Sequence, residues 1–68
     1  MPKPTFGTIL RRELDRAGVS VSELARRCDV SRAAIYNLLN DSYGPSLDLA
    51  GRIADALGVS VDLLRGEN

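Results

Sequence analysis

Between Ser20 and Asn40 the chain writes two helix starts in quick succession, and no other stretch narrows its possible folds as far. Ser20 stands before a run in which Leu24, Ala25 and Cys28 recur at helical spacing. A serine hydroxyl in that place accepts from a free amide of the first turn. Glu23, three positions on, completes the pattern of a capping box, and Val19 and Leu24 bracket the cap as a hydrophobic staple. Ser31 repeats the grammar between Val30 and Ile35, without the acid. Between the two starts, Cys28-Asp29-Val30 must reverse the chain, and Asp tolerates left-handed backbone better than most residues other than Gly and Asn. The spacing therefore predicts helices over about Val21 to Cys28 and Arg32 to Leu39, joined by a tight turn. Ile35, Leu38 and Leu39 face inward on the second. Arg32, Ala33, Tyr36, Asn37 and Asn40 lie on its opposite arc.

The flanking sequence carries the same punctuation. Thr5 caps a helix to about Ala17, with Phe6, Leu10, Leu14 and Ala17 inward and Arg11, Arg12, Glu13, Asp15 and Arg16 on the other faces. Gly18 ends it, being free to take positive φ. Asp41-Ser42-Tyr43-Gly44-Pro45 cannot continue a helix. Ser46 then caps about Leu47 to Leu57, with Leu49, Ile53, Ala56 and Leu57 buried and Gly58 as the stop. Ser60, between Val59 and Leu64, opens a last short helix from Val61 to about Arg65, and Gly66 ends it. There is no strand pattern, repeat or low-complexity tract. The expectation is an all-α, five-helix domain over residues 5–66, with an extended lead-in at 1–4 and a tail at 67–68. A chain of 68 residues suits one domain, burying about 60% of its unfolded surface.

Zero net charge lacks the basic footprint that nucleic-acid-binding domains usually carry. The distribution tells more than the sum. Met1 to Asn40 holds Lys3, Arg11, Arg12, Arg16, Arg26, Arg27 and Arg32 against Glu13, Asp15, Glu23 and Asp29, a net of +3. Asp41 to Asn68 holds Arg52 and Arg65 against Asp41, Asp48, Asp55, Asp62 and Glu67, a net of −3. The positive half is the half with the two close helices. Ordinary solvated helix faces would also account for much of this.

Catalysis finds no foothold. With no His, the commonest general base and metal ligand is missing. Cys28 sits on an inner stripe, where a structural thiol is expected. Asp48, Asp55 and Asp62 recur every seven residues, the pattern of a solvated face. No phosphate loop or zinc spacing is present. No enzyme, cofactor, metal or small-molecule ligand is expected. No apolar run approaches the roughly 20 residues of a membrane span. Met1-Pro2-Lys3-Pro4 has no apolar region behind it, so a signal peptide is not expected. A lone Cys fits a reducing compartment.

Leu24-Ala25, Val30-Ser31, Ile35 and Leu38, with Phe6-Gly7 and Leu10-Arg11 before them and Leu57-Gly58-Val59-Ser60-Val61-Asp62-Leu63-Leu64 after, resemble the phage repressor and Cro-like (XRE-type) helix-turn-helix regulators. The resemblance covers roughly Thr5 to Gly66. It implies a lambda-repressor-like DNA-binding domain, with the second and third helices as the helix-turn-helix. It implies a sequence-specific transcriptional regulator in a cytoplasm of bacterial or phage type, on the nucleoid when DNA-bound. The family's base-reading positions map onto Arg32, Ala33 and Asn37. Arg can pair with guanine O6 and N7, Asn with adenine N6 and N7, and Ala can touch only a thymine methyl. Backbone contacts are expected from Ser22, Ser31, Tyr36, Asn40, Ser42 and Tyr43, and from amides at the starts of the second and fourth helices. Tyr36 would contact a phosphate or pack on sugar.

The chain departs from the family's pattern in three places. Val21 stands where a phosphate-clamping Gln is common, and Asp41-Ser42-Tyr43-Gly44 replaces a basic loop. Both changes predict fewer charge contacts and a shallow salt slope. Leu14 and Leu39 stand where some members place an Arg–Glu pair, which predicts that the two leucines touch. The partners implied are double-stranded DNA with a pseudo-palindromic operator and a second copy in a weak homodimer through Val59, Val61 and Leu63. The competing reading is a protein-interaction module, antitoxin-like or adaptor, on the same fold.

Overall fold

Each helix begins where a hydroxyl is placed to begin it. The computed structural model describes residues 4–65 as α1 (Phe6–Ala17), α2 (Val21–Cys28), α3 (Arg32–Leu39), α4 (Leu47–Leu57) and α5 (Val61–Arg65). These are the five expected ranges. Residues 1–3 of the lead-in, Gly66 and the tail at 67–68 lie outside the described residues. Thr5 accepts from Thr8 N at 3.2 Å, Ser20 from Glu23 N at 3.1 Å and Ser31 from Ala34 N at 3.1 Å. Ser46 accepts from Leu49 N at 3.1 Å and Ser60 from Leu63 N at 3.3 Å. Each bond satisfies one amide that the helix cannot satisfy itself. The capping box at Ser20 is half made. The Glu23 carboxylate bonds Arg26 and Arg27 instead of reaching back, because charge-assisted bonds to guanidinium outweigh a neutral amide.

Helix ends are equally local. Gly18, Asp29, Asp41 and Gly58 take left-handed φ of 68°, 58°, 58° and 69°. After each, the chain folds back in a pair of bonds. At Asp29 these are Asp29 N to Arg26 O and Val30 N to Ala25 O. At Asp41 they are Asp41 N to Leu38 O and Ser42 N to Asn37 O.

The core is one cluster fed by all five helices: Ile9, Leu10 and Leu14; Leu24, Ala25 and Cys28; Ile35, Leu38 and Leu39; Ile53 and Ala54; and Leu64. Val19, Val30 and Val59, the staple residues, pack against it half-buried. Leu14 and Leu39 both belong to the cluster. Two helices bury a different arc from the expected one. On α1, Ile9 and Glu13 are buried and Ala17 is exposed, because α3, α4 and α5 all pack around this helix. The Glu13 carboxylate keeps Arg16 at 3.7 Å and Arg12 at 4.0 Å as its counter-charges. On α4, Ala50 and Ala54 join Ile53 inside, while Leu49, Ala56 and Leu57 are half-buried and Leu47 is 89% exposed. That helix lies between α2 and α5, which turns its buried arc toward the alanines.

Helices α2 and α4 also exchange arginines. Arg27 donates to Ala56 O at 3.0 Å, and Arg52 donates to Cys28 O at 3.1 Å. Each guanidinium takes a carbonyl in the last turn of the other helix that the local bonds leave open.

Candidate nucleic-acid interface

With Ile35 and Leu38 fully buried, the helical repeat turns the other arc of α3 to solvent. Arg32, Ala33, Tyr36 and Asn37 are all exposed there, one turn apart in pairs. Asn40, Ser42 and Tyr43 are exposed in the turn that follows, and Ser22 is exposed in the first turn of α2. The Ser31 hydroxyl is engaged as the cap of α3. Tyr36 and Tyr43 leave about half of their surface open, at 51% and 49%.

Charge pairing separates Arg32 from most of the other described arginines. Arg12 and Arg16 lie beside Glu13, Arg26 and Arg27 bond Glu23 at 2.6 and 2.8 Å, and Arg52 meets Asp48 at 3.0 Å. Hydrogen bonds from Arg26 and then Arg27 hold the Glu23 carboxyl below its ordinary 4.5, and Glu23 raises Arg26 in return. Among the described residues, Arg32 and Arg11 enter no ion pair, and Arg32, Tyr36 and Asn37 make no side-chain hydrogen bond. Spacing offers Arg11 the carboxylate of Asp15 one turn on, yet that pair does not form. Sequence reading placed Arg11 on a plain solvated face, with no signal that its charge stays open.

The remaining expected positions are placed as follows. Val21 is half-buried against the core, so the position of the missing Gln serves packing. Val59 and Val61 are half-buried, while Leu63 is 36% exposed. An apolar groove beside them is lined by Phe6, Pro45, Leu47, Ala50, Val61 and Leu64. The cleft between α2 and α4 is lined by Arg27, Arg52, Asp55 and Ala56, whose arginines are already bonded. Cys28 is fully buried, and desolvation pushes its thiol up, with Arg52 opposing, which removes it as a nucleophile. No group of metal-ligating side chains occurs among the described residues, and no helix there is long and apolar enough to cross a membrane.

The sequence model of the helix-turn-helix family matches residues 10–64, from the middle of α1 through α5. The chain belongs to this family, of the Cro and phage repressor type. The helix-turn-helix of this protein is α2 and α3. Membership makes it a DNA-binding regulator rather than an enzyme. A protein of Methanothermobacter thermautotrophicus named as an uncharacterized HTH-type transcriptional regulator is 45% identical over 51 residues, 75% of this chain and 74% of that one. Virulence-associated protein A' of Dichelobacter nodosus is 32% identical over 53 residues, 78% of this chain but 46% of the relative. The match thus spans under half of that second protein.

Proposed function

We propose that this helix-turn-helix protein is a sequence-specific regulator of transcription that seats α3 in the major groove of double-stranded DNA. One observation carries the reading: the outer arc of α3 is exposed and the side chains of its Arg32, Tyr36 and Asn37 make no hydrogen bond or ion pair among the described residues, while the arginines of α2 are tied up. A groove about 12 Å wide accepts one helix, and residues near that helix's N-terminus reach base edges. Arg32 and Asn37 read bases, with Ala33 small enough to let the helix approach. A cation in the first turn opposes the helix dipole, so Arg32 sits where its charge serves α3 poorly and a guanine well. Ser22, Ser31, Tyr36, Asn40, Ser42 and Tyr43 hold the backbone, joined by the α2 amides that Ser20 leaves free. Arg11 adds a cation for phosphate. Two copies meet weakly across the α5 surface at Val59, Val61 and Leu63, on half-sites about 34 Å apart.

Fluorescence titration against random and selected duplexes at rising salt tests this. Binding at low salt, with a shallow slope, is expected. Arg32→Ala should weaken preference at one base position by about 1–3 kcal/mol and leave the others intact. A uniform loss over all sequences would make Arg32 a phosphate contact. Absence of binding even at low ionic strength would overturn the regulator reading and assign the α3 arc to a protein partner.

A further inference from the structure

The turn after α3 carries an acid where a phosphate-facing loop would repel DNA, and one oxygen of that exposed side chain reaches across to α1. Asp41 Oδ1 accepts from Gly7 N at 2.9 Å, across the longest sequence separation of any side-chain hydrogen bond among the described residues. Gly7 N lies in the first turn of α1, where an amide has no helical partner and the dipole favours a negative charge. Thr5 takes the Thr8 amide of that turn, and Asp41 takes this one. The approach is close. A Cβ on Gly7 would press into Leu39 O, lie 2.8 Å from Leu38 O and lie 2.9 Å from Asp41 Oδ1. The start of α1 is thus seated on the carbonyl end of α3. Asp41 reaches it from left-handed backbone, at φ 58°, the same turn that closes α3 through Ser42 N and Asn37 O.

We infer that Asp41 is a positioning residue for DNA docking, acting through α1: it locks the end of α3 to Gly7 and so holds its neighbours Asn40 and Ser42 where phosphates meet them. The inference rests on the proposed major-groove reading. It assigns Asp41 no contact with DNA. Its Oδ1 is taken up by the helix start it caps, and the phosphate-facing groups on either side of it are held in one geometry.

The test compares Asp41→Asn with Asp41→Gly. Both remove the charge and both tolerate left-handed backbone. Only Asn keeps an oxygen for Gly7 N. Binding to a selected duplex is titrated well below the melting temperature of each variant, with folding checked by circular dichroism. Exchange of the Gly7 amide reports the clamp. Asp41→Asn should keep Gly7 protected and bind at least as tightly as wild type. Asp41→Gly should expose Gly7 and bind roughly three- to ten-fold more weakly across all sequences, a loss of preorganisation bounded by the size of one hydrogen bond. Equal affinities for the two variants, or the weaker one being Asn, would overturn the positioning role while leaving DNA binding intact. Failure of the wild type to bind any duplex at low salt would instead overturn the major-groove reading, and this role with it.

Discussion

Helices α2 and α3 have eight residues each, start from a serine cap, and are followed by an aspartate in left-handed backbone. Their inner faces are equally buried. Their outer faces differ. On α2, Glu23 holds Arg26 and Arg27, Arg27 reaches Ala56 O, and Arg52 comes back from α4 to Cys28 O. On α3, the side chains of Arg32, Tyr36 and Asn37 make no hydrogen bond or ion pair among the described residues. The same local grammar therefore yields one helix fastened on both sides and one fastened only from within. Positive charge alone does not mark an interface here. What separates the two helices is whether their arginines meet an acid.

The sharpest way to break this contrast is from the inside of α3. Leu39 is 7% exposed in the core, and Leu39→Glu should cost about 3 kcal/mol or more, seen as loss of the cooperative melt or a large fall in Tm. An unchanged melt would mean that α3 does not depend on its inner face. Next in size is the fastening of α2. Arg52→Ala removes the bond to Cys28 O and should cost about 1 kcal/mol, a Tm shift of about 4–8 °C in a domain this small. Arg32→Ala should leave Tm in place while altering DNA preference, and a Tm loss equal to that of Arg52→Ala would erase the distinction between the two arginines.

Smaller still is the hinge between the helices. Asp29→Gly relieves the left-handed backbone and should stabilise by about 0.5–1 kcal/mol in urea unfolding, and a loss of stability would show that the aspartate side chain holds the turn. The smallest effect is acidic. Because Arg26 and Arg27 hold the Glu23 carboxyl below its ordinary 4.5, its contribution is complete above that value and is lost as pH falls through the lowered one. Glu23→Gln should flatten that part of the Tm-versus-pH curve, and an acid limb of unchanged slope would show the pair to be idle.

The helix ranges are legible in the sequence because their boundary chemistry spans three or four residues: a hydroxyl before the run, a Gly or Asp after it. Glu13 is not legible. Helical spacing sets it among arginines on an outer face, and only the packing of three helices around α1 buries it. The outer arc of α3 follows from its period, so the candidate base readers can be named from sequence. Which cations remain open cannot, since that depends on which acids arrive in space. Arg11 and Asp15 have pairing distance in sequence and do not pair. Asp41 reads as one more turn residue, because its partner amide lies 34 positions away.

The arginine exchange between α2 and α4 bears on how the molecule opens. Helices of eight and eleven residues are too short to persist alone in water. Here, fraying the last turn of either one removes the acceptor that the other's arginine holds. The two ends are therefore expected to fluctuate as one cooperative unit, with amide exchange in both last turns governed by a single opening free energy.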